Sequence, residues 1–547
     1  MSEHTADILI KGGVLFDGER KAADAGFVAV QADRILAAGD AKDAGAYEGP
    51  GTKVIELAED QLILPGIHDN HVHLIQAGML EKFADLTRCG TEEEAADLIA
   101  EYAKENPGAP WVVGFGWSKY AFPHLPSRES LDAVIPDRPV LMMDDELHSA
   151  WVNTKALELA GITDDTPDPP YGQIQRRENG EATGFLAETA LILVARLTFD
   201  FGNEQVKELV NLYTDKALSL GITSVTDMAP YLGINLAYED AYFEMAAAGE
   251  LRIRVNAARD LFEDLDEVVR LRQRAEEEGG GMYRIPFLKQ FVDGIPGNYT
   301  GMLIEDYSDK PGEKGGPLLD IEQMNEAILQ AHDRGLSVRL HACGDGAVKA
   351  ALDGYEAAIR REKKPECRHQ VEHIEVIREE DIPRFGQLGV IASVQPEHIV
   401  SGMPSFSDNN YPELLGPERE RFTWPFRSLW DTGARLAGGS DCPVVFGDPY
   451  VGMYSGVARV HDDGTPEGGW NPQEKLTIEE LLQMYTKEAA YSEGREDELG
   501  LIRPGYLADI TVVDRDLLTV PQEAIRDAKA VLTMVGGRIL WYNKKKI

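Results

Sequence analysis

Two histidines one residue apart, His71 and His73, follow an apolar run and a Pro-Gly in LILPGIHDNHVHL, residues 62–74. At a strand end, residues i and i+2 point to the same side, so both imidazoles would face one point. Convergent imidazoles suit a divalent transition metal. His341 follows LSVRL, His373 follows HQVE, and Asp441 ends ARLAGGSD, each at the close of a strand-like run. A lone histidine in such a place is more often a satisfied core residue. The recurrence of four at equivalent strand ends favours a shared metal. Asp441 is a carboxylate of the kind a metal-activated water needs, able to take its proton and pass it on; an Asx-type turn is the alternative reading. Gly438, Gly439 and Ser440 leave room for close approach there. Asp69 could support a ligand or shape a turn. His369, near the start of the His373 strand, reads as structural.

Chemistry at strand ends needs strands. GITSVTDMA (221–229), RIRVNAA (252–258), FLKQFVDG (287–294), LSVRLHACGD (336–345), HQVEHIEV (369–376), GVIASVQPEH (389–398) and ARLAGGSDC (434–442), with Leu62-Ile63-Leu64, make eight. Amphipathic stretches such as DIEQMNEAILQAHDRG (320–335) separate them. The expected fold is α/β, a (β/α)8 TIM-type barrel over residues 61–497 with its site at the C-terminal strand ends. Residues 1–60 and 498–547 are both β-rich and are expected to form one small β-sandwich domain. Residues 80–215 are an insertion after the first barrel strand, expected to cover the barrel mouth.

The chain has 547 residues, with 54 basic against 94 acidic side chains and a formal charge of −40. That length exceeds one hydrophobic core. The charge argues against nucleic acid or an anionic membrane as partner. Four cysteines without a CxxC fit a reducing compartment, and the N-terminus lacks a signal-peptide pattern, so a cytoplasmic protein is expected. Cys343 and Cys442 stand beside candidate site residues; as cysteines they read first as small buried hydrophobes. No GxxxxGK[ST], no GxGxxG after a strand and no GxSxG is present, which leaves phosphate-loop and serine-nucleophile chemistry without support.

LPGIHDNHVH (64–73), LHSAWVNTKALELAGI (147–162), TGFLAE (183–188), HACGDGAV (341–348), RHQVEHIEVI (368–377), ASVQPEH (392–398), GGSDCPV (438–444) and RPGYLADITVVD (503–514) together resemble the amidohydrolase superfamily. More narrowly they resemble its family 3 branch, which includes N-substituted formamide deformylase-like enzymes. The resemblance implies one or two divalent ions, zinc foremost, held by His71, His73, Lys289, His341, His373 and Asp441. Asp441 would also handle the proton. Lys289, in the fourth strand, stands where binuclear members carry a carboxylated lysine; the alternatives are an unmodified lysine in a one-metal site or a snorkelling surface lysine. Asp293 has even spacing from it. GFGWSKY and LHSAWVN look like substrate-facing segments, which makes Trp117, His148, Trp151 and Tyr299 candidates for substrate contact, with His148 on the scissile carbonyl. The sequence departs from the usual form at Ser118, often acidic, and at Glu146-Leu147, usually Asp-Gly. The implied reaction is hydrolysis of a small-molecule amide. The same ligands would also serve an ester, a lactone, a cyclic imide or an isomerisation, and a non-catalytic binding protein is a more distant alternative. The resemblance also admits a homodimer.

Overall fold

The computed structural model describes residues 5–543 apart from 120, 232, 233, 237, 362–365, 401, 402 and 404. Tyr120, the last residue of GFGWSKY, therefore lies outside the described residues. Eight strands form one parallel sheet in chain order: β1 (Ile67–Val72), β2 (Ile222–Asp227), β3 (Arg254–Asp260), β4 (Tyr283–Phe291), β5 (Ser337–Ala342), β6 (Gln370–His373), β7 (Ile391–Val394) and β8 (Leu436–Gly438). Just beyond β8 the chain bonds back to β1. His73 N donates to Cys442 O at 2.9 Å, and Asp441 N to His71 O at 2.7 Å. The sheet thus closes into a (β/α)8 barrel.

The connecting helices follow from their sequences. The helix Ile321–Asp333 starts where the Asp320 side chain accepts from Gln323 N. It buries Met324, Ile328 and Ala331, spaced four and three apart, against the barrel. Gly335 follows with φ +72, the left-handed turn that lets the chain enter β5.

The expected first barrel strand, Leu62-Ile63-Leu64, belongs elsewhere. Leu62–Pro65 pairs antiparallel with Ile510–Val513 and parallel with Val14–Leu15, in a six-stranded sheet built from both ends of the chain. A second, four-stranded sheet (residues 8–12, 26–31, 34–40 and 53–56) packs on it through Ile10, Val28, Val30, Ile55, Ile63, Ile510 and Val512. This is the small β-sandwich. The barrel begins only after Gly66, where a Cβ would lie 2.2 Å from Thr223 Oγ1. Pro65-Gly66 is the crossing between the two bodies, and the run before it fills the sandwich core.

Between β1 and β2 the insertion forms its own six-stranded sheet, from Ala84–Asp85 to Ala182–Glu188. Its core holds Trp117, Phe122, Leu131, Met142, Trp151 and Phe185. Among the described residues, no helix is long and apolar enough to cross a membrane.

Candidate metal centre

The C-terminal ends of β1, β4, β5 and β6, with the segment after β8, bring charged and imidazole groups into one buried cluster. His71 Nε2 and His73 Nε2 each lie 3.2 Å from Asp441 Oδ1. His373 Nδ1 lies 3.8 Å from Asp441 Oδ2. The His341 ring packs 4.4 Å from that of His373. Lys289 is fully buried, its Nζ 4.9 Å from the centre of the Phe291 ring. Among the described residues, His71 Nε2, Lys289 Nζ and Asp441 Oδ1 have no well-aligned hydrogen-bond partner. Buried polar atoms are nearly always satisfied, so three such atoms in one cluster mark a place built for a ligand.

The local backbone explains the convergence. Asp441 has φ +63, and His373 and Ile374 have φ +74 and +55, so these strand ends turn sharply inward. Such left-handed residues cost on the order of 1–3 kcal/mol each and persist where surrounding bonds hold them. Gly439 lets the eighth strand press on the first, since a Cβ there would sit 2.7 Å from His71 Cβ. Asp69 ties the same two ends: its Oδ1 accepts from Ser440 N at 2.8 Å and its Oδ2 from Ser440 Oγ at 2.5 Å. Asp293 does likewise for β4 and β5, accepting from Met302 N, Cys343 N and Gly344 N.

The electrostatics suit a cation. Burial holds His73, His341 and His373 below the usual imidazole range, so they remain neutral with a lone pair to offer. Burial would raise the Asp441 carboxyl, but His71, which Asp441 holds above its usual range against burial, keeps it well below its usual range as an anion. Burial pushes the Lys289 ammonium down to about 8, against the pull of Glu372 and Asp441.

Three participants carried no assignment from the sequence. Glu372 accepts from His71 Nδ1 at 2.6 Å, which leaves Nε2 as the lone-pair nitrogen, the arrangement that orients metal-binding histidines. Burial would raise this carboxyl, yet Arg339, then His71, hold it at about 2. His398, just beyond β7, places Nε2 3.9 Å from Asp441 Oδ2. Glu188 binds His148 Nδ1 at 2.7 Å. The only signal for Glu372 was a carboxylate directly before His373; His398 ends the ASVQPEH segment.

The candidates for substrate contact separate. His148 reaches the mouth, its ring 5.7 Å from that of His341. Burial disfavours its charge, but Glu188 raises it to about 9. Trp117 and Trp151 do not line the site. Their indoles pack edge to face in the insertion core, and their Nε1 groups donate to Met142 O and Ser127 O, so neither ring has a free face. Tyr299 is turned outward, its hydroxyl bonded to Asp309 Oδ2 at 2.7 Å and its ring edge-on to Tyr307. Cys343 touches the cluster, with Sγ 3.3 Å from His341 Nε2.

A second His/Cys group, His332, Cys367 and His369, lies at the start of β6. Val338 N donates to His369 Nδ1 at 3.2 Å, so the proton of that ring sits on Nε2 and points to His332 Nδ1 at 3.0 Å. With both nitrogens committed, His369 has no lone pair for a metal, and it stacks on Tyr355 as a core residue.

A buried cluster of imidazoles and one carboxylate at the C-terminal mouth of a (β/α)8 barrel defines a class of metal-site barrel. The amidohydrolase family model matches residues 56–541, and the chain belongs to that family. It is 28% identical to Protein LONG AFTER FAR-RED 3 of Arabidopsis thaliana over 98% of this chain and 92% of that one. It is 26% identical to N-substituted formamide deformylase of Arthrobacter pascens, over 94% and 95%. Among solved structures, an uncharacterized metal-dependent hydrolase from Pyrococcus horikoshii OT3 superposes with a TM-score of 0.75 at 25% identity, covering 94% of this chain and 99% of that one.

Proposed function

We propose that this protein is a metal-dependent hydrolase that cleaves the carbon–nitrogen bond of a small non-peptide amide, such as an N-substituted formamide or another N-acyl amine. The convergence of His71, His73 and His373 on Asp441, with unsatisfied buried nitrogen and oxygen atoms among them, carries this reading. The likeness to N-substituted formamide deformylase supports the substrate class.

His71, His73, His341, His373 and Asp441 would hold one or two divalent ions, zinc first among them. Lys289, whose buried amine is partly neutral near pH 8, would complete a two-ion site by adding to CO2 as a carbamate, releasing one proton. The ions supply Lewis acidity, polarising a carbonyl and acidifying water. Asp441 takes the proton of the attacking water and delivers it to the departing amine nitrogen. His148 donates to the carbonyl oxygen as charge builds there. Glu372 keeps His71 in the tautomer that offers Nε2.

Elemental analysis of protein purified without chelator is expected to find one to two zinc equivalents, and N-substituted formamides should release formate and amine. Asp441→Asn should lower kcat by roughly 10³-fold or more with melting unchanged, near the upper range for a lost acid–base group. A chain that takes up no metal on reconstitution sinks the reading. Turnover of esters, lactones or cyclic imides but no amide keeps the hydrolase and replaces the substrate.

A further inference from the structure

Between the insertion and the barrel lies a carboxylate to which the hydrolytic scheme gives no part. Glu188 ends the insertion strand Ala182–Glu188 and is 3% exposed. Its backbone N donates to His148 O at 2.8 Å, and its Oε2 accepts from His148 Nδ1 at 2.7 Å. Its other oxygen, Oε1, accepts from Thr300 Oγ1 at 2.8 Å. Thr300 lies in the loop after β4, the strand that carries Lys289. Gly294 makes this approach feasible, because a Cβ there would lie 2.3 Å from Thr300 Oγ1 and 2.7 Å from Glu188 Oε1. Glu188 itself has φ +49, a left-handed conformation that a glutamate adopts only where surrounding contacts hold it.

We propose that Glu188 is a positioning residue for the reaction. It fixes the His148 ring and its Nδ1–H, so that Nε2–H on the far side is the donor left for the substrate carbonyl. Thr300 and Gly294 anchor this pair to the fourth barrel strand and hold the insertion's histidine in register with the metal ligands. With both oxygens engaged, the carboxylate cannot rotate, and the protonated ring, which carries an N–H on each nitrogen, cannot turn without losing its bond to Glu188. This inference rests on the hydrolase reading for the role of Nε2, but the Glu188–His148 link is testable without substrate.

In 15N-histidine-labelled protein, a hydrogen-bonded, low-field Nδ1–H resonance that disappears in His148→Ala is the direct signature of the link. It should be lost in Glu188→Ala and kept in Glu188→Gln, where the amide oxygen replaces the carboxylate oxygen. Against an N-substituted formamide, Glu188→Ala should lower kcat about 10²-fold with KM little changed, as for a misplaced oxyanion donor. Glu188→Gln should fall ten-fold or less, on the order of one unit of log rate. The double variant H148A/E188A should be no slower than H148A alone, since residues acting as one unit are not additive. Melting and metal content of each variant serve as controls. A resonance that survives Glu188→Ala, or a double variant whose losses multiply, overturns the proposal. If no formamide is turned over by the parent protein, the substrate reading fails and the resonance alone decides this one.

Discussion

Leu147 shows how a single residue can record a compromise. It has φ +61, a conformation open to glycine, directly before His148 and Ser149. The left-handed backbone costs a branched residue about 1–2 kcal/mol. The side chain is 2% exposed and packs in the main core, where loss of a leucine costs about 2–5 kcal/mol. Burial wins, so Leu147→Gly should lower the melting temperature despite relieving the backbone. Denaturant unfolding checks this: a gain in stability would mean that strain, not packing, dominates beside His148. The histidines and Asp441 were legible as residues because chemistry placed at strand ends leaves a local trace. Glu372 was not, since its role exists only through His71, 301 positions away in the chain.

At the level of elements, the seam between sandwich and barrel is held by an ion pair. Arg254, at the start of β3, donates through Nε to Asp509 Oδ2 at 2.8 Å and through Nη2 to Oδ1 at 2.9 Å. Asp509 also accepts from Gly536 N at the sandwich hairpin. Burial would raise the Asp509 carboxyl, but Arg254 lowers it below its usual range. A folded pKa below the unfolded one makes the stabilisation complete above about pH 4 and lost as pH falls through the lowered value. Asp509→Asn leaves a buried guanidinium unpaired, which should cost about 3–5 kcal/mol near neutral pH. The variant should also lose less stability than the parent on acidification. Melting curves from neutral pH downward test both, and an unchanged acid limb would assign the acid sensitivity to other carboxylates. Seven of the eight barrel strands were legible from apolar runs and helical periodicity, and the first was placed one segment too early, on Leu62-Ile63-Leu64. The sheet that Leu62–Pro65 would join was not legible, because an apolar run suits a sandwich core as well as a barrel.

Over the whole molecule, a formal charge of −40 spread on a fold of this size must repel itself. Screening should relieve that. Raising salt from about 0.01 M to about 0.3 M shortens the Debye length several-fold and should raise the melting temperature by a few degrees. A flat or falling response would mean that surface ion pairs such as Arg384 with Asp353 and Glu356 balance the repulsion.

The sequence by itself determines the order of barrel strands two to eight, the two β-rich ends and the placing of imidazoles at successive strand ends, because these follow from short-range periodicity and residue type. Tertiary structure alone decided which side of a strand a group faces and what it meets there. Trp117 and Trp151 carry the same aromatic signal as a pocket wall, yet the insertion sheet turns both into its own core. Glu188 and His398 close the TGFLAE and ASVQPEH segments, yet their partners appear only when β7 and the insertion are folded against the barrel mouth. Periodicity is a property of neighbours in the chain, whereas a site is a property of neighbours in space.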